Sequence, residues 1–279
     1  MSNPLASPLP WDLAAKDYAE VTAPFFRNYA EVALDRAGVA AGSRVLDVAA
    51  GPGTLALLAA LRGCHTTAVD FSPRMIDELR SKAVAAGAVV DAQVADGQAL
   101  PIRDAAFDAA FSMFGLMFFP DRAKGLREML RVLVPGGVAV ISSWQPMERF
   151  PILSDIFAAV REILPDLPLG GDKAPLVALA EIVSEMRAAG FESIAAEEVS
   201  ASAESPTLDD AWSFMHRGSP PLALIRKNIG EAAWHNVERG IVESLRRKYG
   251  SGAQKMTMVA NIGVGRKPLT AKSSPPAVS

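Results

Sequence analysis

Between residues 44 and 143 short apolar runs alternate with stretches of helical length. The runs fall at 45–49, 65–70, 89–95, 107–113 and 138–142, and the helical stretches at 55–61, 73–86 and 122–133. A short, unbroken apolar block is what a strand covered on both faces requires, and the stretches between have the length of crossover helices. Ser72 followed by Pro73 marks a helix start, with a hydroxyl to cap the first turn and a proline where no N–H is needed. Pro135-Gly136-Gly137 predicts a turn between a helix and the next strand. The rhythm is β-α-β-α-β…β-α-β, which predicts an α/β fold built on a doubly wound, mostly parallel sheet.

The pattern differs on either side. Residues 11–37 carry Tyr18, Phe25, Phe26 and Tyr29 and suit amphipathic helices interrupted at Pro24, with Gly38 and Gly42 as punctuation. After Trp144, residues 150–189 read as helical around a loop at 165–171, and 191–199 as a strand. Residues 207–249 read as two or three helices broken at Pro220-Pro221 and Gly230, and 255–263 as a last strand. No internal repeat or long linker divides the chain. The predicted organisation is an N-terminal helical lid segment at 1–42, a ligand-binding core at 43–143, and a remainder at 144–279. That remainder completes the sheet and carries helical cap insertions at about 145–177 and 202–250. The polar, proline-containing stretch 270–279 is expected to fray.

Composition narrows the function. Half the 279 residues are hydrophobic, 21% are charged, and the net charge is −3, so no global field draws nucleic acid or an anionic membrane. No apolar run approaches the ~20 residues of a membrane span. The N-terminus lacks the basic and apolar regions of a secretory signal, so the cytoplasm is the expected location. The single cysteine, Cys64, excludes an intramolecular disulfide and any multi-cysteine metal site. His65, His216 and His235 form no HxxH or HxxxH pair, so no metal is expected.

The chemistry centres on Val45-Leu46-Asp47-Val48-Ala49-Ala50-Gly51-Pro52-Gly53-Thr54, an apolar strand running into a small-residue turn and then a helix. Ala49, Gly51 and Gly53 let the backbone approach a ligand, and the helix start beyond them offers unpaired N–H groups. The turn reads A-x-G-x-G rather than G-x-G-x-x-G, Pro52 removes a phosphate-binding N–H, and no Lys-Ser/Thr pair follows. Asp47 at the strand end would repel a pyrophosphate yet could orient an amino group or its bound water. Asp70, in Ala68-Val69-Asp70-Phe71-Ser72, ends the second strand, where an acid accepts hydrogen bonds from ribose hydroxyls. Asp96-Gly97 ends the third apolar run, where the carboxylate can accept an exocyclic amine while glycine admits a close approach; a simple Asp-Gly turn is the alternative.

These elements, with Phe107-Asp108…Phe111-Ser112-Met113 and Arg131-Val132-Leu133-Val134-Pro135-Gly136-Gly137, resemble the class I S-adenosylmethionine (SAM)-dependent methyltransferases. The resemblance is to the subgroup of ubiquinone/menaquinone C-methyltransferases and small-molecule methyltransferases, and it covers about residues 30–143. It implies a Rossmann-like seven-stranded sheet in the order 3-2-1-4-5-7-6 with an antiparallel last strand. It further implies that Asp47, Ala49, Gly51 and Gly53 surround the methionine end of SAM. Asp70, beside Phe71, would hold the ribose, Met75 would flank the adenine, and Asp96 with Gly97 would meet its amine. Ser112 and Met113 would lie near the sulfonium. The segment Phe114-Gly115-Leu116-Met117-Phe118-Phe119-Pro120 lacks a histidine often found there in the family.

The expected activity is methyl transfer from SAM to an O, N or C atom of a small molecule. The insertions carry Trp144, Phe150, Phe157, Trp212, Phe214, Met215, Leu222, Leu224 and Ile225, which points to an apolar or aromatic acceptor if they face the ligand rather than one another. Tyr18, Met117, Trp144 and His216 are the substrate-side candidates, and no catalytic base is identified. A homodimer is compatible with this reading. A non-catalytic SAM-binding protein and a nicotinamide-dependent oxidoreductase are the alternatives, the second disfavoured by the turn chemistry and by the absence of a Tyr-x-x-x-Lys pair.

Overall fold

The computed structural model describes residues 3–165 and 175–269. The N-terminal segment holds α1 (Pro8–Asp17), a π-helical turn (Tyr18–Thr22), a 3-10 turn (Ala23–Phe26) and α2 (Arg27–Ala37). The core follows as β1 (Arg44–Val48), α3 (Thr54–Leu61), β2 (His65–Asp70), α4 (Pro73–Ala86), β3 (Val90–Val94), β4 (Phe107–Met113), α5 (Arg122–Val132) and β5 (Leu133–Trp144). Then come α6 (Pro151–Ile163), α7 (Leu179–Ala189), β6 (Glu192–Ser205), α8 (Leu208–Arg217), α9 (Pro220–Ile229), α10 (Glu231–Tyr249) and β7 (Gln254–Arg266). The seven strands form one sheet in the order β3-β2-β1-β4-β5-β7-β6. Strands β1 to β5 pair in parallel, and β7 lies antiparallel between β5 and β6.

The apolar runs have a direct cause in this packing. Leu46 and Val48 of β1 face a core shared with Leu126 and Met129 of α5, while Val45 faces Leu34 of α2 and Leu55 and Ala59 of α3. A strand buried on both sides cannot alternate apolar and polar residues. The chain leaves β1 toward β2 on one side and returns to β4 on the other. The C-terminal end of β1 is therefore the switch point at which open sheets of this kind bind ligands.

Two sequence expectations are corrected. Pro135-Gly136-Gly137 is not a turn before a strand but an irregularity inside β5. Leu133 pairs with Phe107 and Val138 with Ala109, so three more residues separate the pair on β5 than on β4. Gly136, at φ +79°, takes the bend. The segment stays in the sheet because Gly136 N–H donates to Lys267 O (3.0 Å) and Lys267 N–H to Gly137 O (2.8 Å). Strand β6 runs to Ser205, so the second insertion begins at 206 rather than 202. Its Ala/Ser/Glu sequence contains no apolar run, and its pairing along β7 to Gln254 holds it extended. The expected loop at 165–171, beyond its first residue, and the tail at 270–279 lie outside the described residues.

Helices α6, α8, α9 and α10 close around their own apolar core, which includes Ile156, Trp212, Leu222, Ile225, Trp234, Val237 and Ile241. This cap braces the N-terminal segment: Arg217 donates to Asp17 (2.6 Å), and Phe214 meets Phe25 at a ring-centroid distance of 5.7 Å. Among the described residues no helix is long and apolar enough to cross a membrane.

Candidate functional site

A cavity of about 410 Å³ opens at the C-terminal ends of β1, β2 and β4, under the N-terminal segment. Its floor is the turn after β1. Ala49 and Gly51 both adopt positive φ (57° and 53°), a conformation that costs a side chain about 1 kcal/mol or more unless its surroundings enforce it. The enforcing contacts are visible: Ala50 N–H donates to Val69 O (3.0 Å), and Gly51 N–H donates to Asp70 Oδ2 (2.8 Å).

Asp47 and Asp70 end adjacent parallel strands and are only 1% and 5% exposed. Asp70 also accepts from Ser72 N–H (2.9 Å), so both its oxygens are engaged. Asp47 Oδ2 accepts from Ala56 N–H (3.1 Å), but its buried Oδ1 has no hydrogen-bond partner. Burial pushes Asp47 up to about 8, with the Ala56 N–H opposing the rise and the Asp70 charge adding to it. Burial likewise raises Asp70 to about 6, against the pull of the Ser72 and Gly51 N–H groups.

The next wall follows β3. Asp96 Oδ1 accepts from Gln98 N–H (2.8 Å), and Gln98 Oε1 accepts from Asp121 N–H (2.9 Å), which ties this loop to the start of α5. Gly97 is a close-approach position: a Cβ there would lie 2.6 Å from Phe119 Cζ and 2.7 Å from Val48 Cγ1. The loop is clamped from behind by Arg131, which donates to Ile102 O (2.7 Å) and Leu100 O (3.1 Å) while paired with Glu128 and Asp104.

The N-terminal segment closes the top. Asp12 Oδ1 accepts from Ser72 Oγ (2.6 Å) and from Arg74 N–H (3.2 Å), so α1 is latched to the first turn of α4. Lys82 Nζ donates to Ala19 O within the π-helical turn. Trp11 meets Phe118 edge-on at 5.0 Å, and Tyr18 and Phe26 complete an aromatic rim. Burial, with the Asp70 charge second, pushes the Tyr18 phenol above its ordinary range, so it stays a neutral donor.

Of the residues singled out from sequence, Asp47, Ala49, Gly51, Asp70, Phe71, Met75, Asp96, Gly97, Met113 and Tyr18 line this cavity. Gly53 and Ser112 do not. Gly53 caps α3 at φ +84° against Leu79, and Ser112 lies fully buried below the wall. Met117, Trp144 and His216 do not line this cavity. Met117 is buried beneath the loop, and Trp144 stacks on Phe114 at 4.0 Å. His216 stacks on Trp212 at 4.6 Å, with its Nε2 3.6 Å from Glu238 in the cap. None of the apolar insertion residues reaches the cavity, because they pack against one another and their neighbours. Sequence reading missed Trp11, Phe26, Phe114, Phe118 and Phe119 as wall residues and Asp12 as the latch. The mixed aromatic and polar stretch at 8–30 was the signal for Trp11, Asp12 and Phe26, and the aromatic segment 114–120 after the fourth strand was the signal for the other three.

Comparison with known proteins agrees with this geometry. Residues 46–141 match the family described as "Methyltransferase domain". The uncharacterized protein Rv1403c of Mycobacterium tuberculosis is 34% identical over 157 residues, 56% of each chain. Demethylmenaquinone methyltransferase of Thermus thermophilus is 43% identical over 116 residues, 41% of this chain and 53% of that one. The chain thus spans about half the length of the curated relatives it matches. Among solved structures, that of the cyclase SpnF superposes with a TM-score of 0.62 at 22% identity, covering 96% of this chain and 99% of that one, a likeness of fold. The matched segment contains the strands, the turn and the acids that floor the cavity, so residues 46–141 are similar to a methyltransferase domain and the whole chain shares its fold with solved structures of this kind.

Proposed function

We propose that this protein moves a methyl group from SAM to an O, N or C atom of a small, apolar or aromatic molecule. The observation that carries the reading is the cavity's donor set: two buried carboxylates on adjacent strand ends, one with an oxygen left unpartnered, beneath an aromatic rim. These residues fit SAM. Asp70 suits ribose hydroxyls, Asp96 and the close approach at Gly97 suit an adenine amine, and Met75 and Phe71 offer apolar faces to a base. Asp47 and the turn through Ala49 and Gly51 suit the cationic amino-acid end, with Met113 nearer the sulfonium. When bound, SAM supplies an electrophilic methyl group whose leaving group is a neutral thioether.

The chain's own part is to position and to exclude water. The latch of Asp12 on Ser72 holds α1 over the cavity, and Trp11, Tyr18, Phe26 and Phe118 wall it from solvent. Among the described residues no histidine, lysine or arginine lines it. A neutral Tyr18 donates rather than accepts a proton, and the wall carboxylates Asp47, Asp70 and Asp96 are taken up by SAM in this reading, so an acceptor acidic enough to need no base suits the cavity best. The single buried cysteine, Cys64, suits a reducing compartment such as the cytoplasm.

The experiment is calorimetric titration with SAM, S-adenosylhomocysteine and NAD, followed by turnover of methyl-labelled SAM against phenols, amines, quinols and activated carbons. Quinols enter the panel because the Thermus relative is named for one such acceptor. The reading expects SAM to bind, NAD not to, and Asp70→Ala to weaken SAM by about 1–3 kcal/mol through lost charge-assisted bonds. Binding without turnover on every acceptor would favour a SAM-binding protein that does no methylation, and binding of NAD alone would favour an oxidoreductase.

A further inference from the structure

We propose that Asp47 is a proton-storing recognition residue: it is held neutral in the free protein and gives its proton to solvent when a cationic ligand enters, so the cavity distinguishes a charged occupant from a neutral one. The inference rests on the SAM reading above and adds a mechanism to it.

The geometry is unusual for an acid that only supports a turn. Asp47 is 1% exposed, lines the cavity, and spends one oxygen on Ala56 N–H while the other has no partner. A buried carboxylate oxygen without a donor is costly when ionised, and among the described residues no cationic side chain lines the cavity. The groups facing it are all acidic or neutral. Asp70 stands on β2, Asp96 follows β3, and Tyr18 comes from the N-terminal segment, while Asp12 sits off the cavity wall on Ser72, where its charge acts on Asp70. Helix α3 and the β4 end contribute Thr54, Leu55, Met113, Phe114 and Gly115, none of them charged. The cheapest way to satisfy Asp47 in the free protein is a proton, in keeping with the rise to about 8 that its burial causes.

A sulfonium or ammonium beside it reverses the balance, because an opposite charge within a few ångströms favours the ionised acid. The bound proton then leaves to the buffer, and ligand uptake and proton release become linked. An acid at about 8 that drops to the ordinary carboxylate range releases about 0.9 proton per site at pH 7. Affinity should rise with pH below neutrality, by up to about tenfold per unit, and stop rising near pH 8, where Asp47 is ionised without the ligand and SAM begins to lose its own ammonium proton.

The test titrates the full-length protein calorimetrically at pH 7 in phosphate and in Tris, whose ionisation enthalpies differ, so that the heat difference counts protons. SAM is the cationic probe and 5′-methylthioadenosine, an adenosine thioether without charge, the neutral one. The expected result is release of close to one proton with SAM, none with methylthioadenosine, and loss of the release in Asp47→Asn. The amino group of SAM titrates near pH 8 and is already mostly protonated at pH 7, so a retained ammonium takes up at most about 0.2 proton there, far less than the release expected from Asp47 and opposite in sign. The wild-type buffer comparison stands even if the variant folds poorly. SAM binding with no proton released, or with release that persists in Asp47→Asn, overturns the inference while leaving the SAM reading intact. Failure of SAM to bind at any pH overturns both.

Discussion

Replacing Gly97 by alanine should narrow the cavity and weaken the fold together, and the structure sets the size of both effects. The added methyl would stand 2.6 and 2.8 Å from two carbons of the Phe119 ring and 2.7 Å from Val48 Cγ1. Val48 is fully buried on β1 and cannot withdraw. Phe119 is held from its other side by Gly125, where a Cβ would come within 2.7 Å of the same ring. The ring's remaining freedom is toward the cavity it already lines. Overpacking of this kind costs about 1–3 kcal/mol. For a chain of this size that lowers the melting temperature by about 2–4 °C per kcal/mol. The displaced ring should also cost SAM at least about tenfold in affinity, since 1.4 kcal/mol suffices for that. Thermal melts and calorimetry on Gly97→Ala decide it, with Gly252→Ala as the control because nothing lies within 4 Å of that position. If Gly97→Ala melts with wild type and binds SAM equally well, the wedge of Phe119 between two glycines is not what shapes this wall.

The buried acids also set a pH dependence. Asp47 and Asp70 stand near 8 and 6 in the folded protein against about 3.9 unfolded. The unfolded chain thus ionises them first, and their contribution to stability falls as pH rises from about 4 to about 8. Denaturant unfolding of wild type and Asp47→Asn at pH 5, 6.5 and 8 should show the variant gaining on wild type with rising pH; a constant difference would contradict the assignment. Arg131→Met should cost about 1–3 kcal/mol, because it strips the carbonyls of Leu100 and Ile102 of their donor and unpairs Glu128, and a lysine should not rescue a contact made by three separate guanidinium nitrogens. Urea midpoints measure it. Asp12→Ala should release α1 from α4 and speed SAM dissociation by about tenfold with little change in association, as stopped-flow fluorescence of the nearby Trp11 can follow.

The core of this site was readable because its logic is local. Asp47, Asp70 and Asp96 each end an apolar run, and in a parallel sheet the strand ends on one edge gather by construction. The rim was not readable, because it depends on how distant segments dock. Asp12 reaches Ser72 across 60 positions and Arg217 reaches Asp17 across 200, and neither pairing leaves a trace in spacing. Aromatic residues in the insertions misled for a related reason. Trp212 and His216 stack within the cap, and Trp144 stacks on Phe114, so large rings that looked available for a substrate are committed to packing. The irregularity at Pro135–Gly137 was hidden because proline and glycine signal a turn locally, whereas Lys267, 130 residues later, holds them in the sheet.

This division bears on where acceptor choice resides. The matched domain at 46–141 supplies the acids and the turn, but Ala6, Pro8, Trp11, Tyr18, Phe26 and Ala30 of the wall all precede it, and the described residues of the cap supply none of the wall. The cap acts at one remove, through contacts on the N-terminal segment that include Arg217 on Asp17 and Glu20, Phe214 on Phe25 and the packing of α9 on α1. Changes inside the cap core should therefore move stability first and selectivity little, while changes at Trp11, Phe26 or Phe118 should move selectivity first. Arg217→Ala separates the two routes: an exposed ion pair contributes little to stability, about 0–1 kcal/mol, so a large change in acceptor preference from that variant would mean the cap steers the substrate through the lid rather than by touching it.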